Sequence, residues 1–98
     1  MHINMIVCTY LKSLTMVTVF RVKNLRFQIY THDHIPAHVH VLGHGGECRV
    51  NLENLRVISS NGFNAQEIRI INIAVRENLE FLIEQWEKYH GKETQKNE

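Results

Sequence analysis

The chain is expected to fold as an α+β domain: an antiparallel sheet of four or five strands packed on one long C-terminal helix. Three observations predict this. Residues 17–58 break into short runs that alternate apolar and polar side chains, and residues 64–90 carry apolar side chains at spacings of three and four. A turn-rich cluster, Ser59-Ser60-Asn61-Gly62, divides the two halves. With 98 residues, 44% of them hydrophobic and 21% charged, there is room for one domain and one core. Folding such a chain buries about two-thirds of the surface the unfolded chain exposes.

The strands are taken in order. Val17 to Val22 is rich in β-branched and aromatic residues, and Leu25 to Tyr30 alternates strictly over six positions, as a half-buried strand does. The two-residue link Lys23-Asn24 predicts a tight hairpin, with Asn24 suited to a left-handed backbone. After a loop holding the only proline, Pro36, come a third strand at Ala37 to Leu42, a glycine turn at Gly43 to Gly46, and a fourth strand at Glu47 to Leu52. Leu55 to Ile58 is a candidate fifth.

The helix begins at a well-marked point. Asn64 can cap it, Glu67 stands where a capping box needs an acid, and Phe63 and Ile68 occupy the two positions of a hydrophobic staple. Ile68, Ile71, Val75, Leu79, Leu82, Trp86 and Tyr89 form one apolar stripe that Gly91 ends. One helix of about 25 residues, roughly 37 Å long, fits this stripe. Ile70, Ile73, Ala74, Phe81 and Ile83 widen it beyond what a small sheet covers. That surplus fits a small protein partner or a second copy of the chain; a break near Asn78 into two packed helices fits it as well.

Composition excludes several classes. No apolar stretch approaches the roughly 20 residues that span a bilayer, so a membrane role is not expected. The first fifteen residues lack the charge and apolar run of a secretory signal, which makes the cytoplasm the expected location. Cys8 and Cys48 are far apart and in no C-x-x-C pair, so both are expected to be small buried thiols. A net charge of +1 favours neither nucleic acid nor membrane by itself.

The chemistry concentrates in one place. Five of the seven histidines lie between His32 and His44. Side chains alternate across a strand, so Leu25, Phe27, Ile29, Ala37, Val39, Val41, Cys48, Val50 and Leu52 share the face under the helix. The opposite face then collects Arg26, Gln28 and Tyr30, His38 and His40, and Glu47, Arg49 and Asn51. Three chemistries suit such a face. His38 and His40 could act as acid and base on an RNA phosphodiester without a metal, with Arg26 and Arg49 holding the phosphate and Tyr30 stacking on a base or orienting the site. Alternatively, His38 and His40 could join His32, His34 or Glu47 around zinc or a similar transition metal, which takes imidazole and carboxylate ligands. The face could also bind a protein or nucleic acid without turnover. His44 is expected to be a turn residue, and His2 and His90 incidental.

Three strings carry a family resemblance. They are M-V-T-V-F-R-V-x-x-L-R-F-x-I-Y from Met16, D-H-I-P-A-H-V-H-V-x-G-x-G-G-E-C-R-V-x-L from Asp33, and N-G-F-N-A-Q-E-I with E-N-L-E-F-L-I-E-Q-W-E-K-Y in the helical half. From about Met16 to Tyr89 the chain resembles a family of small bacterial proteins known as domain of unknown function 4160. The most specific part is His34, Pro36, His38, Val39, His40 and Val41. The family usually has two prolines before the first histidine of H-V-H, where this chain has Pro36-Ala37. The resemblance implies that residues 1–15 are an N-terminal extension that reflects a misassigned start, and the polar run at 92–98 reads as a disordered tail after a domain over 16–91. It also implies one half of a two-gene, toxin-antitoxin-like cassette with a small protein partner. It brings no established catalytic residues.

Overall fold

The computed structural model describes residues 16–91. The expected extension at 1–15, with Cys8 and His2, and the tail at 92–98 lie outside the described residues. Five strands form an antiparallel meander in sequence order: β1 (Met16–Val22), β2 (Leu25–Tyr30), β3 (His38–Gly43), β4 (Gly46–Asn51) and β5 (Val57–Asn61). Two helices follow, α1 (Ala65–Glu77) and α2 (Leu79–His90). The fold is the expected α+β arrangement, with the long helix divided in two. No described helix is long and apolar enough to cross a membrane.

The alternation in the sequence sets the core directly. Leu25, Phe27, Ile29, Ala37, Val39, Val41, Cys48, Val50 and Leu52 are all buried, and they pack with Ile71, Ala74, Val75, Leu82 and Trp86 from the helices into one cluster. Burial pushes the Cys48 thiol up to about 11, so it is an inert packing group. Of the surplus helix residues, Ala74 joins this core and Ile70 and Ile83 are packed against it, whereas Ile73 and Phe81 remain about 40% exposed.

Both outer strands carry an irregularity that the sequence did not announce. In β1 the register shifts between Thr18 and Phe20, and in β4–β5 it shifts between Arg49 and Val50. The extra residue in each is a bulge, which lets core side chains sit on both sides of the shift: Val17 and Phe20 stand opposite Ile29 and Phe27, and Val57 stands opposite Val50. Because of the second shift, Ser59 and Asn61 fall on the polar face opposite Arg49 and Glu47. Bulges also bend an edge away from pairing with other chains.

Three expectations change. Ser59, Ser60 and Asn61 extend the fifth strand instead of forming the turn, because β4 supplies backbone partners and an edge strand tolerates solvated polar side chains. In the first hairpin the left-handed residue is Lys23, at φ 57°, rather than Asn24. In place of the single long helix the structure has the alternative, a break at Asn78, whose side-chain Nδ2 donates to the Ala74 carbonyl at 2.8 Å while its backbone N–H is shared by Ala74 and Val75. An asparagine that bonds back to the preceding turn competes with the regular ladder, and here it marks the joint.

The helix start is as expected. The Glu67 N–H donates to Asn64 Oδ1 at 2.8 Å and the Asn64 N–H donates to Glu67 Oε1 at 2.9 Å, a complete capping box. The glycine turn docks beside it. Gly62, at φ 86°, lies so close to that turn that a Cβ would come within 2.9 Å of the Gly45 carbonyl oxygen. At the far end, Gly91 closes α2 with φ 81° and a bond from its N–H to the Glu87 carbonyl at 2.7 Å.

Candidate metal centre

The strand registers place a row of polar residues straight across the sheet: Thr18, Gln28, His40, Arg49 and Ser59 stand opposite one another from β1 to β5. Neighbours in the row bond to each other, Gln28 Nε2 donating to Thr18 Oγ1 at 3.2 Å and Arg49 Nε to Ser59 Oγ at 3.0 Å. Alternation predicts an open face here, but its centre is covered. Gln28 is 4% exposed, and His38 and His40 are each 6% exposed.

The cover is the loop between β2 and β3, and its key residue is Asp33. Asp33 Oδ2 lies 2.9 Å from His38 Nε2 and 2.8 Å from His40 Nε2, so one carboxylate oxygen meets two imidazoles. Each ring is held from a second direction. His38 Nδ1 donates to the Pro36 carbonyl at 2.8 Å, and the Tyr30 ring stacks on His40 at 3.8 Å with an interplanar angle of 20°. The Trp86 ring, fully buried, stands 5.4 Å from the His38 ring and is itself stacked at 3.6 Å by His90. His90 therefore has a packing role at the end of α2.

The hydrogen-bond inventory of His38 does not close. A carbonyl only accepts, so His38 Nδ1 carries the proton, and in a neutral ring Nε2 is then a bare lone pair. That lone pair faces an ionised carboxylate, which also only accepts, and Nε2 is buried with no hydrogen-bond partner. A proton, carried by the ring or by the carboxyl, or a metal ion must lie between them. For His40, burial lowers the pKa, the Asp33 carboxylate works against that lowering, and His38 and Arg49 add to it. The shift favours a neutral imidazole, the form that binds metals.

Asp33, His38 and His40 are the group among the described residues whose donor atoms come close enough to share an ion, all within 4.8 Å of one another. Bonds of about 2.0–2.2 Å to a tetrahedral ion put donors roughly 3.3–3.5 Å apart, so Asp33 would retreat by about half an ångström. The backbone carbonyl on His38 Nδ1 is the partner that fixes a metal-binding histidine in the tautomer that ligates through Nε2.

The other candidate residues are distributed as follows. His32 and His34 are exposed and belong to no such group, His32 Nδ1 lying 3.4 Å from Thr31 Oγ1. Glu47 Oε2 is 4.0 Å from His40 Nδ1, and its side chain is 56% exposed. Arg49 lines a cleft with His40, Glu47, Ser59, Ser60 and Asn61. Arg26 stands at the glycine-turn end, opposite Leu42, and lines a separate recess with Gly43 to Glu47. Tyr30 orients His40 with its ring, and burial, then Glu47 and Asp33, raise its pKa and keep its hydroxyl protonated. Asn51, also placed on the polar face, caps the β4–β5 turn by accepting from the Glu53 and Asn54 N–H groups. His44 sits 3.4 Å from Glu67 and ties the glycine turn to the capping box.

Sequence reasoning missed Asp33 because it counted histidines. The signal was present between two of them: a carboxylate five residues before an H-x-H pair is a two-imidazole, one-carboxylate donor set.

Comparison with known proteins supports the resemblance carried by these residues. The profile of the domain of unknown function DUF4160 matches residues 24–87, which covers β2 to β5 and both helices as far as Glu87. The chain belongs to that family. No curated protein and no solved structure matches it. Asp33, His38, His40, Tyr30, Arg49 and Trp86 all fall within the matched segment of the DUF4160 chain.

Proposed function

We propose that this chain is a metal-binding module whose Asp33, His38 and His40 hold one divalent transition ion, zinc being the ion whose preferences the donors fit best. The observation that carries the proposal is His38 Nε2, buried, unable to donate in a neutral ring, and 2.9 Å from a carboxylate oxygen that His40 shares. A cation at that point satisfies all three groups at once. Three protein ligands leave room for water or an added ligand, the pattern of sites that do chemistry rather than only brace a fold.

Metal-independent acid–base cleavage of RNA draws less support from this geometry. Both imidazoles turn nitrogens toward Asp33, and His38 spends its other nitrogen on Pro36. A general base must reach the proton it removes. The toxin-antitoxin-like pairing and its small protein partner rest on the family resemblance.

The test is metal analysis of tag-free protein after zinc loading and dialysis, read together with Trp86 fluorescence during cobalt or nickel titration. Trp86 is the only tryptophan and lies 5.4 Å from the His38 ring, so an ion at His38 will quench it. About one equivalent is expected in the parent and in His32→Ala/His34→Ala, and less than about a tenth in His38→Ala/His40→Ala. Equal uptake after loss of His38 and His40 would sink the proposal.

A further inference from the structure

Resting on that metal centre, we propose that its free coordination position takes a phosphoryl oxyanion, with Arg49 as the cationic clamp that selects it. The argument starts from the register. His40 and Arg49 are direct partners across β3 and β4 on the same face of the sheet, and Ser59 is the partner of Arg49 on β5. One cleft is lined by all three, with Glu47 and Asn61 beside them. The ion's ligand His40 is thus part of the wall of a cavity that Arg49 and Ser59 also line.

Arg49 is built for an anion and has none. Its Nε–H is committed to Ser59 Oγ at 3.0 Å, which fixes the plane of the guanidinium. Among the described residues no carboxylate lies within ion-pairing distance of it; Asp33, Glu47 and Glu67 lie instead against the imidazoles of His38, His40 and His44. An oriented, unpaired guanidinium presents its remaining N–H groups as a fork that matches an oxyanion. The Ser59 hydroxyl, accepting from Arg49, keeps its own proton to donate, and Asn61 adds an amide on the same face.

A phosphoryl group suits this set better than a carboxylate. One oxygen goes to the ion, and the guanidinium fork and the serine still call for acceptors. A planar carboxylate has a single oxygen left at that point, whereas a tetrahedral phosphoryl group has more and spreads them in three dimensions. Glu47 is the opposing charge in the cleft. Its side chain is 56% exposed, so it can turn to solvent when an anion enters, and it weakens binding until it does.

The experiment uses the full chain loaded with cobalt, whose visible absorption reports directly on the ligands of the ion. Inorganic phosphate is titrated into the parent, Arg49→Ala, Arg49→Lys and Glu47→Gln, with uptake of cobalt measured in each. A saturable spectral change is expected in the parent, weakened about tenfold or more in Arg49→Ala and less in Arg49→Lys. It should tighten severalfold in Glu47→Gln, and cobalt uptake should be unchanged in all four. A spectrum that phosphate does not move while cobalt stays bound overturns this inference and leaves the metal centre standing. An equal response in Arg49→Ala overturns the clamp. Failure of the parent to bind cobalt overturns the metal centre and the inference with it. Repeating the titration with a short ribo-oligonucleotide separates the sources of the group: binding tighter than that of free phosphate assigns it to a nucleic-acid backbone, and binding no tighter assigns it to a small phosphorylated molecule.

Discussion

The two faces of the sheet are buried to nearly the same extent at their centres and stabilised in different ways. On one, Phe27, Ile29, Val39, Val41 and Val50 are fully buried in a continuous apolar cluster with Ile71, Val75, Leu82 and Trp86. On the other, Gln28, His38 and His40 are 4–6% exposed, but the groups they bring out of water are dipoles and titratable nitrogens. The apolar face owes its burial to hydrophobic packing, and the polar atom in that cluster without a partner is Trp86 Nε1. The polar face takes Gln28 Oε1, His38 Nε2 and His40 Nδ1 out of water without a hydrogen-bond partner, a cost that an ion or a water at those atoms would offset. Burial alone therefore does not separate core from site; what separates them is the convergence of several buried polar atoms without partners, Gln28 Oε1, His38 Nε2 and His40 Nδ1 on one face against Trp86 Nε1 on the other.

The largest effect should come from the apolar face. Truncating Phe27→Ala removes a side chain with no exposure, stacked 4.5 Å from Phe20, and should cost about 3–5 kcal/mol in urea unfolding. A loss below about 1 kcal/mol would show that this face is not the core. The next effect belongs to the polar face with its ion. Zinc at about one hundred times its dissociation constant should stabilise the parent by about 2.7 kcal/mol, seen as a rise in melting temperature that chelation reverses and Asp33→Ala abolishes. A rise of equal size in Asp33→Ala would place the zinc elsewhere.

A third change probes what holds α1 over the apolar face. Asn64→Ala removes the half of the capping box in which Asn64 Oδ1 accepts from the Glu67 N–H, and should cost about 1 kcal/mol. The same box carries a pH signature. The Glu67 carboxyl is held below its ordinary value of 4.5, first by the Asn64 backbone N–H, which outweighs an opposing desolvation, and then by the lesser pull of His44. A depressed folded-state value means that the contribution is present above about pH 4.5 and is lost as pH falls through the folded value. Glu67→Gln should flatten that part of the acid-unfolding curve, and a curve identical to the parent's would remove the box from the account.

The smallest stability change is the most informative. Replacing the buried imidazoles by apolar side chains, His38→Leu/His40→Phe, should leave metal-free stability within about 1 kcal/mol of the parent or raise it, while metal uptake disappears. Asp33, whose side chain is 26% exposed, can then be solvated. A loss as large as that of Phe27→Ala would mean that the histidines serve as core residues, and the contrast between the faces would fail.

How much of this was legible beforehand varies by element. The strand alternation at Leu25 to Tyr30 and the box at Asn64 and Glu67 are local patterns, and both appear where the pattern put them. Ser59 to Asn61 looked like a turn because its propensities are those of a turn, and only the partner strand β4 made it β5. The joint at Asn78 turned on one side-chain hydrogen bond inside an otherwise helical stripe. In the site, His38 and His40 were assigned to one face by parity, whereas the partner of that pair depended on how a loop of seven residues, 31–37, folds back. No periodicity governs a loop, and it brought Asp33 inward while leaving His32 and His34 in water.

By itself, then, the sequence determined the α+β class, the residues of the apolar face and the presence of two histidines on the opposite one. These follow from repeats of two and of about three and a half residues, which backbone geometry imposes wherever one face must leave water. Tertiary structure decided that the polar face is closed at its centre, that Asp33 closes it, and that Arg49 looks into a cleft beside His40. Those outcomes depend on strand register, on two bulges and on the path of a loop, each set by the balance of contacts across the whole fold.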